Sequence, residues 1–273
     1  MSDVEKTVRD FYNNFGWQKP GGKSGEELLF RRFSSHFYAY QDLVDHRTTN
    51  CFSGITGRLL IAGSGDLPGA HTKIAHHFSS ICCLDISQKA LDVSKEILGD
   101  KGEYVLASIL DIPKPSNFFD AVFCAHVIYH IDKQLQSKAI RELVRVIRPG
   151  GRAVIIYANP HSLPQSILRL KSRLSFMRRL QNRGATRAEG APPLYSYDHP
   201  LEWWNQFRDE CDVDFVPWSV MSADQERRLY INGWRAWSVY RFCSWYEKHY
   251  PKAAVKYWSF PVIILTKNRN IAL

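Results

Sequence analysis

No run of apolar residues in this sequence approaches the roughly 20 that a membrane-spanning helix needs, which excludes a bundle of such helices. The first residues, Met1-Ser2-Asp3-Val4-Glu5-Lys6, are charged and lack the apolar centre of a secretory signal, so a cytoplasmic location is expected. The six cysteines (Cys51, Cys82, Cys83, Cys124, Cys211 and Cys243) form no C-x-x-C pair, which removes the common zinc-ribbon and dithiol redox motifs. They read as reduced thiols, three of them serving as small hydrophobes inside apolar strands. There is no internal repeat and no low-complexity tract, so a solenoid is excluded. Acids are missing altogether from residues 162–188, where Arg169, Lys171, Arg173, Arg178, Arg179, Arg183 and Arg187 gather.

What is present suits a soluble globular protein. The 273 residues suffice for one large domain with embellishments. Hydrophobic residues make up 45% and charged residues 23%, both ordinary, and the net charge is +9.

From residue 58 to 158 strand and helix signals alternate. Residues 59–62 are an apolar strand that stops at Gly63-Ser64-Gly65, where glycine lets the backbone turn and approach a ligand. A helix over 69–78 follows, entered through Pro68. Residues 81–85 form a second strand, apolar throughout and thus buried on both faces, ending in Asp85. Ser87 caps a helix over 88–98. Further strands are expected over 104–107, 121–125, 153–157 and 260–266, with an amphipathic helix over 133–147. The pattern predicts an α/β fold with a doubly wound, mostly parallel sheet, which binds ligands at the strands' C-terminal edge.

The rest divides around this core. Residues 1–57, with an amphipathic helix over 4–15 and a flexible loop over 19–25, are expected to form an N-terminal helical cap. Residues 58–158 form the cofactor-binding core. Residues 159–256 form a long acceptor-binding insertion or lid with a basic amphipathic helix, and residues 257–273 supply the closing strand. Ile167, Leu170, Leu174 and Met177, extended by Leu180, line one face of the basic helix.

Three segments together resemble the class I S-adenosylmethionine-dependent methyltransferases, of the kind acting on small molecules. They are Gly63-Ser64-Gly65 after a strand, Ser108-Ile109-Leu110-Asp111-Ile112-Pro113 leading to Asn117-Phe118-Phe119-Asp120-Ala121-Val122-Phe123, and Leu143-Val144-Arg145-Val146-Ile147-Arg148-Pro149-Gly150-Gly151. The resemblance implies a Rossmann-like, seven-stranded sheet with an antiparallel last strand, and S-adenosyl-L-methionine as cofactor. It implies Gly63, Ser64 and Gly65 under the methionine and ribose, Asp85 on the ribose hydroxyls and Ile86 on the adenine face. Ser108 and Ile109 would then lie at the adenine edge, and Ala125 and His126 near the transferred methyl. Tyr12 is a candidate to close over the cofactor from the cap. The sequence departs from the family at Ile61 and Ser108, which stand where acids are usual, and at Leu67 in place of a third glycine. Looser cofactor binding, or compensation by the cap, is the expectation.

Methyl transfer needs a nucleophile aligned with the methyl and one proton managed, and it needs no metal. His199, His130 and His161 are the candidate bases. Asp198 precedes His199 and could polarise it. His126 and His130 stand at metal-pair spacing, yet no third ligand accompanies them, so no metal is expected. Trp203, Trp204, Trp234 and Trp237 suit either a stacking floor or core packing. The basic segment suits a solvated lid, an acidic small-molecule acceptor, peripheral membrane contact or, least well, nucleic acid.

The reading is a methyltransferase of a small acceptor, best an oxygen of a sugar, polyketide or phenolic metabolite. A lipid-linked or macromolecular acceptor docked by the basic helix is an alternative, as is a non-catalytic cofactor-binding module. A nicotinamide-dependent oxidoreductase is disfavoured by Pro68, which occupies the place of the third glycine in G-x-G-x-x-G.

Overall fold

The computed structural model describes residues 2–16, 34–67, 69–179 and 194–269, apart from the side chains of residues 70 and 175–179. Seven strands form one sheet: β1 (Arg58–Ala62), β2 (Ser80–Asp85), β3 (Gly102–Leu106), β4 (Phe119–Ala125), β5 (Ile147–Ile156), β6 (Cys211–Ser219) and β7 (Phe260–Lys267). Their order is β3-β2-β1-β4-β5-β7-β6. The first five run parallel, whereas β7 lies antiparallel between β5 and β6. The chain winds outward from β1 in one direction and then from β4 in the other, so a crevice opens between the C-terminal ends of β1 and β4.

Strand side chains alternate between faces. Leu60, Leu84, Val122, Cys124, Ala153 and Ile155 join α5 (Gln136–Val146) through Ala139, Ile140 and Leu143. Leu59, Ile61, Cys83, Phe123, Val154 and Ile156 join Ile74 and Ala75 of α3 (Gly69–Ala75) and Leu91 of α4 (Gln88–Leu98). The central strands β1, β2, β4 and β5 thus feed two cores, which is why their buried stretches show no polar alternation. Ile61 is one of these core residues, 1% exposed. It has no route to a cofactor, and an acid there would be buried unpaired.

Two helices precede the sheet. α1 (Asp3–Phe11) starts with a capping box between Ser2 and Glu5, and ends in a π-helical turn over Tyr12–Gly16 rather than continuing as α-helix. α2 (Ser35–Asn50) packs Phe37, Tyr40 and Val44 against Ala236, Tyr240 and Cys243 of α8 (Gly233–His249). A buried carboxylate fastens this contact. Glu247 of α8 accepts from Tyr40 Oη at 2.5 Å, Trp258 Nε1 at 2.7 Å and Arg47 Nη1 at 2.7 Å. The N-terminal segment is therefore not one cap: α1 lies over the sheet edge, and α2 belongs to a core shared with the C-terminal helices.

The long excursion contains α6 (Leu163–Arg179), a 3-10 turn over Leu201–Phe207, β6, α7 (Ala223–Arg228), α8 and α9 (Pro251–Tyr257). β6 joins the main sheet, so the excursion is not wholly an insertion beside the core. Trp204 is fully buried, whereas Trp234 and Trp237 face solvent, so the tryptophans do not form one cluster. Trp17, Pro68, the loop over 19–25, Leu180, Arg183 and Arg187 lie outside the described residues, as do the side chains of Met177, Arg178 and Arg179. All six cysteines are buried free thiols, and burial pushes those of Cys82 and Cys83 up to about 12.

Candidate active site

The crevice at the switch point is a cavity of about 920 Å³. Its floor begins where β1 ends. Gly63 has φ +71°, and a Cβ there would collide with the Val127 side chain. The Gly63 and Ser64 amides both donate to Leu84 O, at 2.7 and 3.1 Å, which ties the turn to β2. Ser94 of α4 donates to Ser64 Oγ and Gly65 O, both at 3.2 Å.

Asp85 closes the loop from the other side. Its Oδ2 accepts from Gly65 N at 3.0 Å and its Oδ1 from Ser87 N at 2.8 Å. With the Ile86 amide as a third backbone donor, the carboxylate still keeps acceptor capacity for a hydroxyl. Burial raises the carboxyl to about 6, against the pull of these backbone donors. A glycine cradle that a side chain would fill, beside a carboxylate with acceptor capacity, fits the adenosyl and methionine parts of S-adenosylmethionine.

α1 brings an acid to the cavity wall at Ser108. The hydroxyl of Ser108 donates to Glu5 Oε1, and Ser108 Oγ accepts from Leu110 N at 3.0 Å. Glu5 Oε2 is held by Ser2 N at 2.8 Å. Glu5 is 5% exposed and lines the cavity. The carboxylate missing from position 108 is thus present in space, supplied from α1. Sequence reasoning passed over Glu5, although Ser2-Asp3-Val4-Glu5 is a readable capping box. Asn13 anchors the same segment, accepting from Ser87 Oγ at 2.6 Å through its side chain and from Lys89 Nζ at 2.5 Å through its carbonyl.

The residues the resemblance assigned to the cofactor, namely Gly63, Ser64, Gly65, Asp85, Ile86, Ser108, Ile109, Ala125 and His126, line this one cavity together with Tyr12 of the cap. His126 takes φ +60° just past β4, an uncommon conformation for a residue with a side chain. Its ring packs on Trp218 and Phe260 and shares a 2.9 Å hydrogen bond with Tyr129 Oη.

The three candidate bases separate. His130 lines the cavity; its Nδ1–H donates to Tyr195 O at 2.6 Å, which leaves the lone pair on Nε2. Burial lowers its pKa to about 4, so it is neutral at physiological pH. His199 does not line the cavity. Its ring stacks on Trp203 at 4.3 Å and 1°, and its amide donates to Tyr157 Oη at 2.8 Å. His161 is exposed and likewise off the wall, its amide bound to Asn159 Oδ1 at 3.0 Å. The residue beside His199 is placed differently. Asp198 lines the cavity, and its Oδ1 has no hydrogen-bond partner among the described residues. Burial raises this carboxyl to about 6, partly offset by Arg169. The segment holding Asp198 is pinned by Tyr197 N to Tyr129 O at 2.8 Å and by Gln136 Nε2 to Tyr197 O at 2.9 Å.

The charge of the wall runs against an acidic acceptor. Glu5, Asp45, Asp66, Asp85, Asp198 and Asp224 face the cavity, with Lys73 as the ammonium among them. Lys73 is already paired with Asp45 at 3.0 Å. Among the described residues no group of three His, Cys, Asp or Glu is placed to hold a metal ion.

Comparisons with known proteins agree with this geometry. A family model described as "Methyltransferase domain" matches residues 60–155. The ubiquinone/menaquinone biosynthesis C-methyltransferase UbiE of Yersinia pestis bv. Antiqua (strain Antiqua) is 30% identical over 57% of this chain and 67% of its own. Among solved structures, magnesium protoporphyrin IX methyltransferase (ChlM) from Synechocystis PCC 6803 with bound S-adenosylhomocysteine aligns with a TM-score of 0.56 at 15% identity, covering 97% of this chain and 100% of that one. The N-methyltransferase NodS from Bradyrhizobium japonicum WM9, also with S-adenosylhomocysteine, gives 0.53 at 12% identity, covering 98% and 99%.

Proposed function

The chain belongs to the class I S-adenosylmethionine-dependent methyltransferases, and from that premise we propose that it methylates a neutral hydroxylated aromatic ring. A phenolic acceptor narrows the broader group of sugar, polyketide and phenolic oxygens, and it adjoins the quinone chemistry named for the UbiE relative. The observation that carries the reading is the continuity of one cavity from Asp85 to Asp198 and His130, with Phe37, Tyr38, Trp218 and Phe260 on its walls. Aromatic walls suit a ring, and the cluster of carboxylates disfavours an anionic acceptor.

In this reading Gly63, Ser64 and Gly65 form the floor under the cofactor, Asp85 accepts the ribose hydroxyls, and Glu5 with Ser108 receives the adenine amino group. The bound sulfonium supplies an electrophilic methyl and departs as a neutral thioether. The carboxylates around the cavity favour that positive charge at the outset. Asp198 takes the phenolic proton through its unpartnered Oδ1, and the resulting phenolate bears charge on oxygen and on the ortho carbons. The ring atom presented then sets whether O or C is methylated; methylation at carbon is completed when that carbon releases its proton to solvent and the ring regains its aromaticity. His130, fixed with its lone pair on Nε2, accepts from a second ring hydroxyl where the acceptor carries one.

The test is transfer of labelled methyl from S-adenosylmethionine to a panel of phenols and hydroquinones, with nucleotide sugars as the contrasting set. Turnover of phenols, reduced about 100-fold or more in Asp198→Asn while S-adenosylhomocysteine still binds, is expected. Turnover confined to the nucleotide sugars overturns the reading.

A further inference from the structure

Helix α8 has two unlike faces. Ala236, Tyr240, Cys243 and Glu247 are buried against α2 and Trp258. The opposite side carries Trp234, Trp237, Arg241, Trp245 and Lys248 at helical spacing, with Arg235 and Phe242 beside them. Its rings are open to solvent: Trp234 is 74% exposed, Phe242 55%, Trp237 53% and Trp245 50%. Single exposed apolar residues are ordinary, but four large rings on one helix face are an interaction surface. They do not wall a small-molecule site, because the hollow among Trp237, Arg241 and Trp245 is bounded by this one helix.

The charges around these rings have one sign. The sole acid of α8, Glu247, is turned inward onto Arg47. α9 contributes Lys252 and Lys256 and no acid. α6 contributes Arg169, Lys171 and Arg173, again with no acid, and turns Leu163, Ile167, Leu170 and Leu174 outward along a stripe. Lys171 packs 4.2 Å over Tyr230 and donates to Arg228 O at 2.9 Å, which joins α6 to the entry of α8.

This charge selects the occupant. A second copy pairing through the same face would set cation against cation. An anionic bilayer complements it: indole and phenol rings settle at the headgroup boundary while ammonium and guanidinium groups meet phosphates. We propose that the outer face of α8, with the outward stripe of α6, docks the protein on an anionic phospholipid bilayer. The proposal does not depend on the phenolic acceptor. α8 braces α2 from its inner face, and α2 contributes Phe37 and Tyr38 to the cavity wall, so the docking face and the cavity share one support.

The full chain is floated with phosphatidylcholine vesicles and with vesicles that also contain phosphatidylglycerol, and tryptophan emission is followed. Flotation with the anionic vesicles and a blue shift are expected. Arg235→Glu with Arg241→Glu should lower partitioning by at least about fivefold for each cation lost. Trp237→Ser with Trp245→Ser should diminish the shift, leaving what Trp234 contributes. Both variants should bind S-adenosylhomocysteine as the parent does, because neither pair lines the cavity. Absence of flotation, equal flotation on neutral vesicles, or sedimentation as a dimer that these substitutions disperse would each overturn the proposal.

Discussion

Asp85 shows how burial and recognition combine in one carboxyl. Backbone amides at 3.0 and 2.8 Å orient it, while loss of water raises its pKa to about 6. Folding raises this pKa above the unfolded value, so the proton it binds stabilises the fold at low pH. That contribution is lost as pH rises through about 6. Cofactor affinity runs the other way, because ribose hydroxyls donate to the ionised form. Calorimetry should find S-adenosylhomocysteine affinity level above neutrality and falling about tenfold per pH unit below 6, with Asp85→Asn weaker and flat. Glu5 makes a second residue-scale case. Glu5→Ala removes the carboxylate that answers Ser108 and should weaken the same affinity by roughly tenfold, a charged hydrogen bond's contribution. Ile61→Asp fails as a route to tighter binding, since Ile61 lies in the core. It should instead cost several kcal/mol of stability in denaturant melts.

At the scale of elements, the parallel half of the sheet was legible because its central strands are apolar runs, the first closed by Gly63 and the second by Asp85, with amphipathic helices between. β6 was not. Its Cys211, Val213 and Ser219 face inward while Asp212 and Asp214 face out, and the acids and Pro217 mask a strand that borders only β7. His199 misled for a related reason. Adjacency to Asp198 suggested a pair, but the His199 ring stacks on Trp203 while Asp198 lines the cavity. Glu5 escaped notice because its contact with Ser108 spans most of the N-terminal half and no local pattern encodes it. The junction of α2 with α8 was equally hidden, as it rests on one carboxylate far away in sequence. Glu247→Ala would strand the Arg47 guanidinium and the Tyr40 and Trp258 donors together. The expected cost is about 3–5 kcal/mol, a fall in Tm of roughly 6–20 °C for a domain of this size, with Glu247→Gln milder.

For the molecule as a whole, the cavity is where separately folded parts meet. α1 reaches it through Glu5 and Val8, α2 through Phe37 and Tyr38, the parallel strands through Gly63 and Asp85, and the segment after residue 193 through Asp198. A ligand seated there touches residues far apart along the chain, none of which are gathered in the unfolded state. Binding should therefore stabilise the entire fold and not one loop. At a concentration one hundred times its dissociation constant, S-adenosylhomocysteine should add about 2.7 kcal/mol, raising Tm by roughly 5–11 °C in a single transition. Asp85→Ala should erase most of that rise while its unliganded Tm changes little or increases, because the substitution also removes a carboxyl that burial disfavours in its charged form. If the melt instead splits into two transitions and only one responds to ligand, then α2 and α8 unfold apart from the sheet, and the Glu247 contact is too weak to couple them.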